Sequence, residues 1–313
     1  MATIMNRFSG AGRRNVIFMA ATTALLMTVF TKAIVAQTSQ PPMPKAEQIL
    51  DRYVEAIGGL AALEKINNRV SKGTIAIAAA GIQLSVTVYQ ARPAKAYSVI
   101  ESAVTGKIES GTDGAVAWQM SATSGPQLME GKEKAFQLHM NVFDRLVYWR
   151  KVFKQVETTG IEDVAGRPCY KIIANPPDLA PQTLYFDKES CLLVRVSLTT
   201  ETQAGTIPVE TTLSDYKSVD GILLAHKTVI KSIGPQRIAT IEKYEQNVSL
   251  PADRFALPAE IKNLIKWNLP RFAFRSDIYS AWSARAGLAL VARHAGTAQA
   301  ARPTRSRKMA IIV

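Results

Sequence analysis

Between Ile161 and Pro258, apolar and polar residues alternate in one short run after another: GIEDVAGRPCYKIIA, TLYFDKESCLLVRVSL, VETTLSDYKSVDGILLAHKTVIKS and QRIATIEKYEQNVSLPADRFALP. Each run is rich in Val, Ile, Thr and Tyr and is broken by Gly, Asn, Asp or Pro. That is how an antiparallel meander reads, with strands joined by tight turns. The same signal occurs earlier and predicts strands over 70–78, 82–91 and 94–102, with shorter ones over 106–110 and 115–119 flanking the turn Thr112-Asp113-Gly114. The second is the clearest. Ile82, Leu84, Val86 and Val88 share one face and Gln83, Ser85, Thr87 and Tyr89 the other, so one side is buried and the other wetter.

Other segments carry helical spacing. Ile49, Leu50, Tyr53, Val54 and Ile57 fall on one face, and Gly58-Gly59 supplies a stop. A short second helix is expected from Leu60 to Ile66. After a break at Gly125-Pro126, a long helix is expected from Lys132 to Tyr148, with Phe136, Met140, Phe143 and Val147 stacked along one side. Val142, Leu146 and Trp149 broaden that side. A helix interrupting a run of strands must lie against the sheet. The expected fold is therefore mainly β: a strongly curved antiparallel sheet, or incomplete β-barrel, with helices covering its concave side.

The ends of the chain differ from this body. Arg7, Arg13 and Arg14 precede an apolar run from Val16 to Phe30, which ends near Ala33-Ile34-Val35-Ala36. A basic stretch, an apolar stretch and a small residue at the cut make a secretory signal over residues 1–36. The apolar run is short for a membrane span. Ile34 is large for its place before the cut, so an uncleaved anchor is the alternative. Arg13-Arg14 also resembles a twin-arginine signal, although the ordinary Sec route is the simpler reading. An exported, periplasmic protein is expected. Residues 37–45 hold three prolines and no periodicity and read as a linker. The body spans 46–265, one domain's worth of chain. Residues 266–313 are Ala- and Arg-rich and read as a basic, disordered tail. A basic amphipathic helix around Asp277–Ala295, lying on anionic lipid, is the alternative for the tail.

This division explains the charge. The chain carries +13, but residues 1–36 contribute four basic groups and 266–313 contribute nine against Asp277 alone. The remainder holds 25 basic and 24 acidic residues and is nearly neutral. A nucleic-acid binder carries its basic patch on the folded domain, so that class is excluded.

Candidate chemistry is sparse. The body contains His139 and His226, and no metalloprotease, zinc, phosphate-loop or nucleophile-elbow motif. His139 and Asp144 are awkwardly spaced for a shared helix face, and His226 sits in a strand beside Lys227. Neither reads as a metal ligand. Glu101 with Glu109, or Asp113 with Glu130, could pair for glycoside hydrolysis, but any chain with this many acids offers such pairs. No catalytic residue, cofactor or metal is expected. Cys169 and Cys191 are a possible disulfide: export permits it. The strands that carry them are expected two apart, about 9–10 Å, which is beyond bridging reach without a twisted strand end.

The runs AEQILDRYVEAIGG, GIEDVAGRPCYKI, LYFDKESCLLVRV, SDYKSVDGILLAHK and DRFALP together resemble the LolA/LolB-like superfamily of outer-membrane lipoprotein-sorting proteins and their relatives. The resemblance covers residues 44–258 and is to the broad superfamily rather than the dedicated carrier. It implies an incomplete antiparallel barrel with helices over its opening, around an apolar cavity for acyl chains or other lipidic ligands. It implies as partners a lipid, an acyl chain or a lipoprotein, and a membrane-bound partner protein. The dedicated carriers depend on an arginine that locks the empty state, and no arginine here matches it.

Three functions fit such a chain. A periplasmic binding protein for a hydrophobic ligand would use Val86, Val88, Tyr97, Trp118, Phe136, Met140, Phe143 and Trp149 as cavity lining, around a cavity of roughly 300 Å³ or more. A non-catalytic envelope scaffold would show a filled core and an exposed apolar patch of several hundred Å². An enzyme would need converging polar groups with shifted pKa values. The first is the leading expectation.

Overall fold

In the computed structural model, residues 43–103, 106–202 and 205–267 are described. The signal, most of the linker and almost all of the basic tail lie outside these residues. Helices α1 (Ala46–Ala56) and α2 (Leu60–Leu63) precede strands β1 (Asn68–Ile77), β2 (Ile82–Ala91), β3 (Lys95–Ser102), β4 (Gly106–Thr112), β5 (Ala117–Ser121) and β6 (Gly125–Met129). Helices α3 (Gly131–Met140) and α4 (Trp149–Val152) follow. Then come β7 (Gln155–Val164), β8 (Arg167–Asn175), β9 (Gln182–Asp187), β10 (Leu193–Thr202), β11 (Gly205–Val219), β12 (Ile222–Lys231) and β13 (Arg237–Gln246), and finally α5 (Ala259–Trp267).

The strands form one antiparallel sheet of 13 strands in the order β6-β5-β4-β3-β2-β1-β13-β12-β11-β10-β9-β8-β7. It is two meanders joined where β1 pairs with β13. The sheet does not close: β6 and β7 are its two edges, and the chain crosses from one to the other through α3 and α4. Its curvature follows from one helix. α3 touches both β5 and β10, strands eight places apart in the sheet order. Laid flat, eight places span about 38 Å, whereas a ten-residue helix is about 15 Å long. Only a sheet curled around the helix brings both strands to it.

Local chemistry sets the turns. Asp220-Gly221 joins β11 to β12 and Ala165-Gly166 joins β7 to β8, all four at positive φ. Two-residue hairpins take that conformation because it matches the strand twist. In β1 the register shifts between Lys72 and Gly73. A Cβ on Gly73 would lie 2.0 Å from the Thr240 carbonyl oxygen, so only glycine allows this approach of β1 to β13.

Two expectations are corrected. The helix expected over Lys132–Tyr148 ends at Met140. Asn141 caps it, its side-chain nitrogen donating to the Gln137 carbonyl at 2.9 Å. Asp144 then takes a left-handed conformation, φ 48°. That conformation is most accessible to Gly, Asn and Asp. The Phe143 N–H leaves the helical ladder and donates to the Pro93 carbonyl at 2.9 Å. The break read at Gly125-Pro126 is instead the start of β6. Pro126 stands opposite Met120 on the sheet's edge strand, where a missing N–H costs nothing.

The interior is packed in patches. Under α1 and α4 lie Ile49, Leu50, Trp149, Ile172, Leu184 and Phe186. Val54, Ile57, Leu63, Phe143, Val147 and Ile222 form a second cluster. Ile75, Ile77, Leu84, Val86, Ile100 and Ile108 form a third on β1–β4. Val164, Cys169, Tyr185 and Val194 form a fourth; on β8 and β9, Cys169 and Tyr185 alternate with the inward Tyr170, Leu184 and Phe186.

Cys169 and Cys191 are both free and buried, so the possible disulfide is not present in the structure. Cys191 sits at φ 58° in the turn after β9 rather than within a strand. Burial pushes the Cys169 thiol up to about 11. A thiol that stays protonated and buried is a poor nucleophile. Neither cysteine is therefore expected to react with iodoacetamide at pH 8 in the native protein, and both should react in denaturant. Mass spectrometry showing no labelling even in denaturant, with a mass two hydrogens lower, would instead show a bridge.

Candidate functional site: cavities beneath the α3–α4 segment

The segment from His139 to Val147 sits over the concave side of the sheet, and consecutive residues in it line three different cavities. The first, the interior cavity, is a half-open space of about 360 Å³ between the helices and the sheet. Its roof is Tyr53 of α1, Ile57 just after it, Leu63 of α2, and Met140 with Asp144–Val147. Its floor comes from β10–β13: Leu193, Val196, Leu198, Leu213, Tyr216, Leu224 and Tyr244 among others. The second, about 230 Å³, lies between α3 and β1–β5 and mixes Val86, Val88 and Ile100 with Ser98, Ser110, Gln90, Gln137 and Asn141. The third is an open cleft of about 500 Å³ between α3, α4, the β2–β3 turn and Pro177 with Leu179.

The interior cavity holds polar groups that are already engaged. Arg69 Nη1 donates to Asp144 Oδ1 at 2.9 Å, and the two side chains are 8% and 10% exposed. Tyr216 donates to the Leu193 carbonyl at 2.7 Å and Tyr244 to the Ala225 carbonyl at 2.6 Å. Arg145 donates to Gln182 Oε1 at 2.8 Å. Burial pushes the Tyr53 and Tyr244 hydroxyls up to about 12, and Tyr216 further. These phenols stay neutral at physiological pH. Apart from Thr211 and Thr228, what remains to face a ligand is mostly hydrocarbon.

The segment is fastened from several sides. Arg92 donates to the Ile66 carbonyl at 2.7 Å, the Leu63 carbonyl at 2.9 Å and the Tyr148 hydroxyl at 2.8 Å. The Phe143 ring lies between two guanidiniums, Arg69 at 5.1 Å and Arg92 at 5.2 Å from its centre. Arg150 of α4 grips Asp51 of α1 with both terminal nitrogens, at 2.8 and 2.7 Å, and holds that carboxyl below its ordinary range.

The residues expected to line one cavity are spread over several places. Val86, Val88 and Trp118 border the small cavity, Met140 the interior one and Phe143 the open cleft. Trp149 is core: it is buried, and its indole donates to Asp51 at 3.1 Å. Tyr97 pairs in register with Tyr89 and stacks on it at 5.9 Å, on the face opposite Val88. There it donates a short hydrogen bond to Glu109, and Arg254 lies over both tyrosine rings. Phe136 borders none of these three cavities. The floor residues Leu198 and Leu213, and the Arg69–Asp144 pair, were missed. Alternation along β10 and β11 marks the two leucines; nothing local joins two polar residues 75 positions apart.

The two described histidines are engaged with other groups. His139 stands 3.3 Å from Arg145 Nη1, and His226 donates from Nδ1 to the Ile241 carbonyl at 2.7 Å. Among the described residues, no group of three or more His, Cys, Asp or Glu side chains could hold a metal ion. Glu109 is paired with Lys107, and Asp113 accepts the backbone N–H groups of Ala115 and Val116 in a turn.

An open, strongly curved antiparallel sheet with helices across its concave side matches the form that the sequence motifs implied. Among solved structures, the chain is similar to a DUF1329 family protein from Desulfovibrio piger, at 15% identity over 67% of this chain and 96% of that one, with a TM-score of 0.48. It is similar also to a LolA superfamily protein from Nitrosomonas europaea, at 11% identity over 69% and 99%, with a TM-score of 0.48. No family model matches the sequence, and no curated protein matches it significantly. At such identities the LolA-like likeness is one of fold alone.

Proposed function

We propose that this protein binds a hydrophobic, lipidic ligand in the interior cavity under α1 and the α3–α4 segment. The observation that carries this reading is the cavity itself: about 360 Å³, lined mostly by hydrocarbon, with Arg69 and Asp144 paired and the Tyr216 and Tyr244 hydroxyls bonded to backbone carbonyls. Small-molecule sites run from roughly 300 to 1,000 Å³. Affinity in such a site comes from buried apolar area, at about 25 cal/mol per Å², and needs no reactive group. The basic and apolar pattern at the N-terminus supports export to the periplasm, where an acyl chain or a lipoprotein is a suitable cargo.

The scaffold reading has less support. Among the described residues, the large exposed apolar side chains, Met43, Leu60, Ile161, Ile233 and Ile265, are few and come from five separate segments of the chain. In this cavity Asp144 is paired and the buried tyrosines are neutral, which favours binding over acid–base chemistry there.

Leu213 projects into the interior cavity and borders neither of the others. Leu213→Trp is expected to lower the affinity for the neutral fluorophore N-phenyl-1-naphthylamine by tenfold or more. It should change the urea midpoint little, because the added ring fills space. In a filled core the same change would cost about 1–3 kcal/mol. Unchanged dye affinity together with such a loss of stability would sink the proposal. Lipid extraction from protein purified out of its own periplasm identifies the cargo.

A further inference from the structure

The open cleft is chemically unlike the interior cavity. Its walls are apolar: Ala135, Leu138 and Val142 recur along α3 and its continuation, facing Val152 of α4 and Leu179. Its charged members are Arg92 and Lys151, both cationic, and no carboxylate borders it. The two acids adjacent in the chain to its lining are both paired, Asp178 with Lys154 at 3.4 Å and Asp144 with Arg69 at 2.9 Å. Arg92 spends its hydrogen bonds on two carbonyls and the Tyr148 hydroxyl, all uncharged. Lys151 Nζ lies 5.7 Å over the Tyr148 ring. Among the described residues, neither cation has a carboxylate partner. Positive charge at the edge of an apolar groove, with its counter-charge missing, is complementary to a molecule that carries an anion at the end of a hydrocarbon chain.

We propose that this cleft is a second site, for an anionic amphiphile. The chain lies along Leu138, Val142 and Leu179, and a carboxylate or phosphate head sits at Lys151 and Arg92. Both parts are required. Lys151 is too accessible to water to hold a small anion tightly, Arg92 is half-buried with donors already engaged, and the groove is too open to hold an uncharged chain tightly. The charged head can come from a free fatty acid or from a lysophospholipid; the recognition chemistry is shared.

The test uses the full chain with and without Leu213→Trp, so that any contribution from the interior cavity shows as a difference between the two. Binding of laurate, lauryl phosphate, methyl laurate, acetate and inorganic phosphate is measured by calorimetry at low salt. Laurate or lauryl phosphate is expected to bind at least tenfold more tightly than methyl laurate, and acetate and phosphate at least a hundredfold more weakly. Whether laurate or lauryl phosphate is favoured tells a fatty acid from a phospholipid head. Lys151→Gln removes an exposed charge and should erase most of the charged preference while leaving methyl laurate unchanged. Leu138→Ala should weaken both the charged and the neutral chain. Equal affinity for laurate and methyl laurate overturns the proposal, as does indifference to Lys151→Gln. Phosphate binding as tightly as lauryl phosphate would reduce the site to a simple anion contact and overturn it equally. Because the dye measurement on the interior cavity uses a neutral probe, either site can fail without the other.

Discussion

Asp144→Asn is expected to cost about 3–5 kcal/mol of stability, read from urea unfolding, although it changes only one atom's chemistry. Asn tolerates the left-handed φ of 48° as Asp does, so the backbone is not disturbed. What changes is the environment of Arg69. Its guanidinium is buried, its Nε makes no hydrogen bond, and Asp144 is the carboxylate that neutralises it. Removing one member of a buried pair leaves a charge in low dielectric, and that is where the cost arises. The Phe143 ring 5.1 Å away offers Arg69 a cation–π contact of about 0.5–2 kcal/mol, too little to compensate. Arg69→Met should cost a similar amount by stranding Asp144. The double variant should recover a large share, because neither charge is then buried alone. A coupling energy below about 0.5 kcal/mol would show that the two groups act independently. The pair joins β1 to the segment roofing the interior cavity, so the single variants should also loosen that roof. Faster amide exchange at Asp144–Val147 than in β8 and β9 would show it.

The parts of this architecture that could be read from the sequence are those specified by neighbours along the chain. The alternation Ile82, Leu84, Val86, Val88 survives intact: these four side chains meet in one cluster on β1–β4. Asp220-Gly221 is a hairpin turn because its two residues accept positive φ. The end of α3 could not be read, because Phe136, Met140, Phe143 and Val147 keep helical spacing through the break. What stops the helix is tertiary: the Pro93 carbonyl takes the Phe143 N–H and Arg69 takes the Asp144 carboxylate. The lining failed for a related reason. Tyr97 is large and sits in a strand, but its face is fixed by pairing with Tyr89, and register is a long-range property. Trp149 was read as one more residue on a long helix face. Once that helix breaks, it opens the separate α4 and packs into the core under α1.

Phe143→Ala is expected to be the most damaging single substitution, at about 4 kcal/mol or more. The ring is 1% exposed, and truncating a buried Phe costs about 3–5 kcal/mol in transfer and cavity terms. Here two guanidiniums also lose the ring they rest on, Arg69 from one strand and Arg92 from the β2–β3 turn. Phe143→Leu separates the effects. It keeps most of the volume and loses the cation–π contacts, so it should cost about 1–3 kcal/mol, between a conservative core swap and the truncation. Phe143 also borders the open cleft while packing beside Val147, which lines the interior cavity. Its truncation thins the wall between them. The alanine variant, held folded at low temperature, should therefore exchange N-phenyl-1-naphthylamine faster than the wild type, with both association and dissociation rates raised. If Phe143→Ala unfolds the protein no more than Phe143→Leu and leaves dye exchange unchanged, the ring is not the partition between the two cavities, and access to the interior must run elsewhere.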